Sequence, residues 1–130
     1  MENPSHLFGF EKLDVWQEAR SLNRTIYRVT KDFPDNEKFG LVVQMRRAAI
    51  SVCSNIAEGS SRRSAKDQAH FYLLAFGSLM ELLNQCIISN DLGLISDEQL
   101  IDLRRQIQKT GNLLNALRNK QLKNTGLKSD

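Results

Sequence analysis

Residues 64–91 read SAKDQAHFYLLAFGSLMELLNQCIISND, and the fold is decided here. The stretch contains no proline, and its apolar positions recur at intervals of three and four, the helical period. Phe71, Leu74, Ser78, Leu82 and Cys86 fall on one stripe, while Tyr72, Phe76, Met80, Leu83 and Ile87 fall on another. Ser64 is placed to cap such a helix, with Asp67 three residues later in the capping-box position, and Gly93 marks its end near Asp91. A helix apolar on this many sides either lies deep in a fold or contacts another subunit, and a four-helix bundle has no deep helix. The stretch therefore predicts self-association, with closed rotational symmetry as the default form and a merely generous core as the alternative.

Working outward, three more stretches carry the same period. A first helix is expected from about Leu13 to Lys31, with Val15, Ala19, Leu22, Ile26 and Val29 on one stripe and Pro34 closing it. A second is expected from about Asn36 to Glu58, stopped by Gly59, with Leu41, Met45, Ala48, Val52 and Ile56 inward. Val42, Val43, Ala49 and Cys53 lie outside that stripe and repeat the apolar surplus. The last runs from Ser96, with Gln99 in the capping-box position, through Leu103, Ile107, Leu114 and Leu117 to about Leu122; Gly111 is a weak point within it. Short connections between four helices predict an all-α fold, an antiparallel up-down-up-down four-helix bundle over residues 13–122. Residues 1–12 read as an N-terminal extension and residues 123–130 as a flexible basic tail.

Hydrophobic residues make up 41% of the 130 and charged residues 25%, which excludes a globally disordered chain. The uncharged run from Phe71 to Met80 is well short of the roughly 20 apolar residues that span a bilayer. The first ten residues carry Glu2 and Pro4 and no apolar segment, so the expectation is a cytoplasmic protein with no membrane partner. Cys53 and Cys86 sit on different helices in apolar surroundings and are expected to pack in the core as free thiols.

Catalytic constellations are scarce. His6 and His70 form no His-x-x-x-His or Glu-x-x-His pair, so no metal is expected, and neither a Gly-x-Ser-x-Gly elbow nor a phosphate-binding glycine loop occurs. Glu58 and Glu81 are the one carboxylate pair worth weighing, and structural ion pairing is their ordinary use. The expectation is no enzymatic activity and no cofactor. Gln44, Arg46, Arg47, Ser51, Ser54, Asn55, Glu58 and Gly59 form a dense polar stretch in an otherwise apolar helix. Arg47, Ser51, Ser54 or Asn55, and Glu58 share a face and are expected to form a hydrogen-bonded seam with Glu81, either holding bundle or subunits in register or recognising a polar ligand. Helix phase leaves open whether Arg46 or Arg47 turns inward.

The net charge is +3, from 18 basic and 15 acidic residues, but the distribution is uneven. Arg20, Arg24, Arg28 and Lys31 fall on one face of the first helix, opposite its apolar stripe, diluted by Glu11, Asp14, Glu18 and Asp32. From Arg104 to Ser129 no acidic residue occurs. Together with Arg62, Arg63, Arg104 and Arg105, and repeated around an oligomer, this basic rail is a candidate phosphate-binding surface for RNA or DNA.

The order of segments carries a resemblance: Phe10-Glu11-Lys12-Leu13, Val15-Trp16-Gln17, Phe33-Pro34, Phe39-Gly40-Leu41, Gln44-Met45-Arg46-Arg47-Ala48-Ala49, Ser54-Asn55-Ile56-Ala57-Glu58-Gly59, then Phe71, Ala75, Gly77-Ser78-Leu79 and Glu81-Leu82. This resembles the four-helix bundle proteins encoded by intervening sequences in bacterial 23S ribosomal RNA genes. The resemblance implies a ring-like homo-oligomer, typically a pentamer, without established enzymatic activity. That family is similar in fold to the accessory variability proteins of retroelements, which are basic pentamers binding nucleic acid and a reverse transcriptase. The matching positions Gln44, Arg46, Arg47, Asn55, Glu58, Gly59, Gly77, Ser78 and Glu81 are implied to be structural or interface residues. A nucleic-acid-binding accessory is the leading expectation, and a scaffold for a protein partner the alternative.

Overall fold

The computed structural model describes residues 6–126, and among these every regular element is helical. A 3-10 turn over Gly9–Lys12 leads into α1 (Asp14–Thr30), a second turn over Asp35–Glu37 precedes α2 (Leu41–Ser61), and α3 (Ala65–Asp91) and α4 (Asp97–Thr125) follow. Each helix packs on two others: α1 on α2 and α4, α3 on α2 and α4.

The apolar stripes meet in one core. Leu22 and Ile26 of α1, Met45, Val52 and Ile56 of α2, Leu79 and Leu82 of α3, and Leu103, Ile107 and Leu114 of α4 are all fully buried. Cys86 is buried and Cys53 half-buried, both as free thiols. Burial disfavours their anions, pushing Cys53 up to about 11 and Cys86 up to about 12.

The helix ends follow local chemistry. The Ser64 hydroxyl accepts from the Asp67 amide at 3.0 Å. The Asp67 side chain supplies no return bond to the cap; a carboxylate one methylene shorter than glutamate does not reach. At α4 both halves of the box are made: Gln99 N–H donates to Ser96 Oγ at 3.1 Å, and Ser96 N–H donates to Gln99 Oε1 at 2.8 Å. Gly93, at φ +74°, turns the chain between α3 and α4, and Asn90 Nδ2 ties that turn by donating to Ile95 O and Asp97 Oδ1.

Several boundaries differ from expectation. Residues 36–40 are not the start of α2, because Asp35–Glu37 close a separate turn and the Gly40 backbone is non-helical. Gly59 does not stop α2, which continues to Ser61. Its place is a close approach instead: a Cβ built there stands 2.7 Å from Tyr72 Cε1 and 2.9 Å from Phe71 Cβ. Gly111 likewise lies buried in α4 facing Leu79 and Phe76. The expected flexible tail is helical as far as Thr125, where Gly126 caps α4 at φ +76°; residues 127–130, and residues 1–5 of the extension, lie outside the described part.

The expected apolar surplus is partly spent in the core, which buries Val42, Ala49, Tyr72, Leu82 and Cys86. Leu73, Leu74, Met80 and Ile88 of α3 and Val43 and Ile50 of α2 stand exposed. By length and composition alone α3 is apolar enough to cross a membrane, since a 27-residue helix accommodates the single mid-helix charge of Glu81. One side of α3 forms bundle core through Tyr72, Leu79 and Leu82, and Glu81 and Asn84 stand on its exposed side, where a charge against lipid costs about 2.5–3.5 kcal/mol.

Candidate nucleic-acid interface

The rail is built by α1. Its buried stripe of Val15, Ala19, Leu22, Ile26 and Thr30 fixes the helix phase, which turns Arg20, Arg24, Arg28 and Lys31 outward. All four are exposed and none makes an ion pair among the described residues. They extend over about 16 Å at 1.5 Å per residue. Arg20 rests its guanidinium 5.3 Å from the Trp16 ring, and Trp16 is itself held edge-on by Phe10 at 4.9 Å.

Two of the four acidic residues expected to dilute the rail are engaged elsewhere. Glu18 reaches across to α4 and pairs with Lys109 at 2.9 Å. Glu11 Oε2 accepts from the Phe8 amide at 2.8 Å, inside its own turn. Both bonds draw negative charge away from the outward face of α1.

The remaining candidate basic residues join this rail only in part. Arg62 is spent internally: it pairs with Glu58 at 3.0 Å and stacks 4.5 Å above Phe71. Arg63 is exposed beside it in the α2–α3 link. Arg104 and Arg105 are neighbours in sequence, but the helical 100° step separates them. Arg105 faces the α1–α4 groove with Arg28, where it pairs with Asp102 at 3.2 Å, whereas Arg104 lines a cleft between α3 and α4.

The expected polar seam forms only in part. Ser51 and Ser78 share a hydrogen bond at 2.8 Å between α2 and α3, and Asn55 Nδ2 donates to Ser51 O and Oγ. Glu81 does not join it: its Oε1 accepts from Gln85 Nε2, one turn along α3. Ser51 stands level with Ser78 and Gly59 with Tyr72, so Glu58 and Glu81 are separated by more than two helical turns, about 12–15 Å, along the axis. That spacing leaves no shared carboxylate site. Gln85 is buried, and its Oε1 lacks a donor. Gln44 and Arg47 are exposed on the same helix, and Gly77 has open space around it.

Arg46 departs from the seam altogether. Its Nε donates to Thr30 Oγ1 at 3.0 Å and its Nη2 to Tyr27 O at 3.3 Å, with the guanidinium 4.4 Å from the Tyr27 ring. Thr30 in turn donates to Ile26 O at 2.7 Å. Arg46 thus caps the C-terminal carbonyl end of α1, where positive charge is favoured.

Four packed helices carrying one exposed basic face define a helical-bundle protein. The chain belongs to the 23S rRNA-intervening sequence protein family, whose sequence model matches residues 11–116. A crystal structure of a protein of unknown function from the S23 ribosomal protein family of Bacteroides thetaiotaomicron VPI-5482 has the same fold: TM-score 0.72 at 18% identity, covering 80% of this chain and 97% of that one. No curated protein matches the chain.

Proposed function

We propose that this protein is a non-enzymatic, cytoplasmic, self-associating bundle that binds RNA as an accessory factor, with the α1 rail as its principal contact. The observation that carries the reading is the rail itself: Arg20, Arg24, Arg28 and Lys31 exposed together and free of ion pairs among the described residues, with Glu18 turned away to Lys109. Such a surface binds phosphate through counterion release, so its affinity falls steeply with salt. The up-down-up-down course is supported by the order of interhelical pairs. Met45 meets Ser89, Ser51 meets Ser78 and Gly59 meets Tyr72; along α1 and α4, Glu18 meets Lys109 and Thr25 meets Gln106. A ring-like homo-oligomer, typically a pentamer in such proteins, is supported by the exposed Leu73, Leu74, Ile88 and Ile50, which a closed assembly buries. It also multiplies the rail.

The test is a salt titration of RNA affinity for the wild type and for the triple variant R20Q/R24Q/R28Q. Each removed phosphate contact lowers the log–log salt slope by about 0.7 on single strands and about 0.9 on B-DNA. An affinity unchanged by salt, or a variant with the wild-type slope, overturns the reading. The same apolar surface also suits a protein partner; a stoichiometric protein complex insensitive to nuclease, with no affinity for RNA, would replace the accessory reading with a scaffold.

A further inference from the structure

Between α3 and α4 lies an open cleft of about 370 Å3 that no part of the rail or the seam uses. Phe76, Met80 and Leu83 of α3 and Ile107 of α4 make its apolar lining, and Gly111 lets α4 close on Phe76, whose Cε2 stands 3.6 Å from where a Cβ would be. The polar residues of the cleft all come from α4: Arg104, Gln108, Asn112 and Asn115. These four are exposed, and none has an intramolecular hydrogen bond or ion pair among the described residues. No carboxylate lines the cleft.

Each component has a chemical complement. An aromatic ring and a thioether accept a flat π-face. Primary amides, with a donor and an acceptor on one plane, match the hydrogen-bonding edges of a nucleobase. A guanidinium without a partner takes a phosphate in two parallel bonds. Absence of carboxylate removes the repulsion that an anion otherwise meets. A protein side chain uses the apolar floor but leaves three amides and the arginine unanswered.

We infer that this cleft receives one unpaired nucleotide: the base against Phe76 and Met80, its edge on Asn112 and Asn115, and its 5′-phosphate on Arg104. The inference rests on the nucleic-acid reading and adds what that reading lacks, a preference for single strands over duplex. The rail supplies strand-independent attraction; the cleft admits only a base that has left its stack.

The experiment uses the full chain and three probes: a mixed-sequence single-stranded RNA dodecamer, the same sequence as a duplex, and adenosine 5′-monophosphate. Wild type is compared with R104Q and with N112A/N115A, which replace exposed side chains and leave the core intact. The expected result is a 5- to 100-fold loss of single-strand affinity in N112A/N115A, with duplex affinity unchanged. Adenosine 5′-monophosphate is expected to shift the side-chain amide resonances of Asn112 and Asn115 in the wild type, and more weakly in R104Q. Single-strand affinity unaltered by both variants overturns the cleft while leaving the rail standing. Nucleotide-induced shifts in a protein that binds neither RNA support the cleft and sink the rail. A fall in solution mass in either variant makes the cleft a contact between copies and overturns the inference, as does silence toward all three probes.

Discussion

Replacing Gly59 by alanine separates packing from helix propensity. Both Gly59 and Gly77 sit inside helices, α2 and α3, where alanine is intrinsically better by about 0.8–1.0 kcal/mol. At Gly77 nothing stands within 4 Å of a new Cβ, so the gain is realised and G77A is more stable by about 0.5–1 kcal/mol. At Gly59 the new methyl meets Tyr72 Cε1 at 2.7 Å, Phe71 Cβ at 2.9 Å and Tyr72 Cδ1 at 3.1 Å. Tyr72 is only 2% exposed and has no free volume to turn into, and a Cβ moves only with its backbone. Overpacking of this kind costs about 1–3 kcal/mol, and the rigidity of both neighbours places G59A in the upper half of that range. Since propensity is common to both variants, their difference isolates the clash at about 2–3 kcal/mol. Urea denaturation of wild type, G59A and G77A reads it directly as displaced midpoints at constant slope. Equal stability of G59A and G77A would refute the claim that Gly59 marks the tightest approach of α2 to α3.

Three further outcomes follow from the same geometry. S96A removes a complete capping box and is expected to lose about 1 kcal/mol, read by thermal denaturation; a loss no larger than experimental scatter would show the α4 cap to be idle. R46A breaks the bonds to Thr30 and Tyr27 and the stacking on Tyr27, a loss of about 1–2 kcal/mol, whereas R47A changes stability by less than about 0.5 kcal/mol; the reverse order would mean that the two arginines have been assigned to the wrong phase. Stability is also expected to fall in alkali. Cys53 and Cys86 titrate near 9.0 unfolded but at about 11 and about 12 when folded, so above about pH 9 the unfolded chain gives up protons that the native state keeps. The urea midpoint, flat below that pH, should drop as pH rises toward 11, with a shallower fall in C53A/C86A; identical pH profiles in the two proteins would contradict the burial of the thiols.

The parts legible in the sequence are those governed by local chemistry. Ser64 and Ser96 announced two helix starts because a cap needs only its own next three residues. The apolar stripes announced the core, since period alone decides which face is inward. Gly59 was misread as a stop because its reason lies in Tyr72, thirteen positions on and in another helix. The seam failed at Glu81 for a related cause: α2 and α3 were each in correct phase, but the level at which they meet is set by packing, not by either sequence. Arg104 and Arg105 were grouped by adjacency, which on a helix separates side chains rather than uniting them. The cleft residues Gln108, Asn112 and Asn115 went unnoticed, although their spacing of four and three within a basic helix was the available signal.

The central claim is that copies of this chain assemble and together hold RNA through exposed basic charge. Solution mass by light scattering, with and without a mixed-sequence RNA at low and high salt, tests assembly and binding at once. The account predicts a single species at a multiple of the 14.8 kDa chain, gaining RNA mass at low salt and losing it at high salt. A species at 14.8 kDa would contradict the assembly, and an assembly whose mass ignores RNA at both salts would contradict the binding.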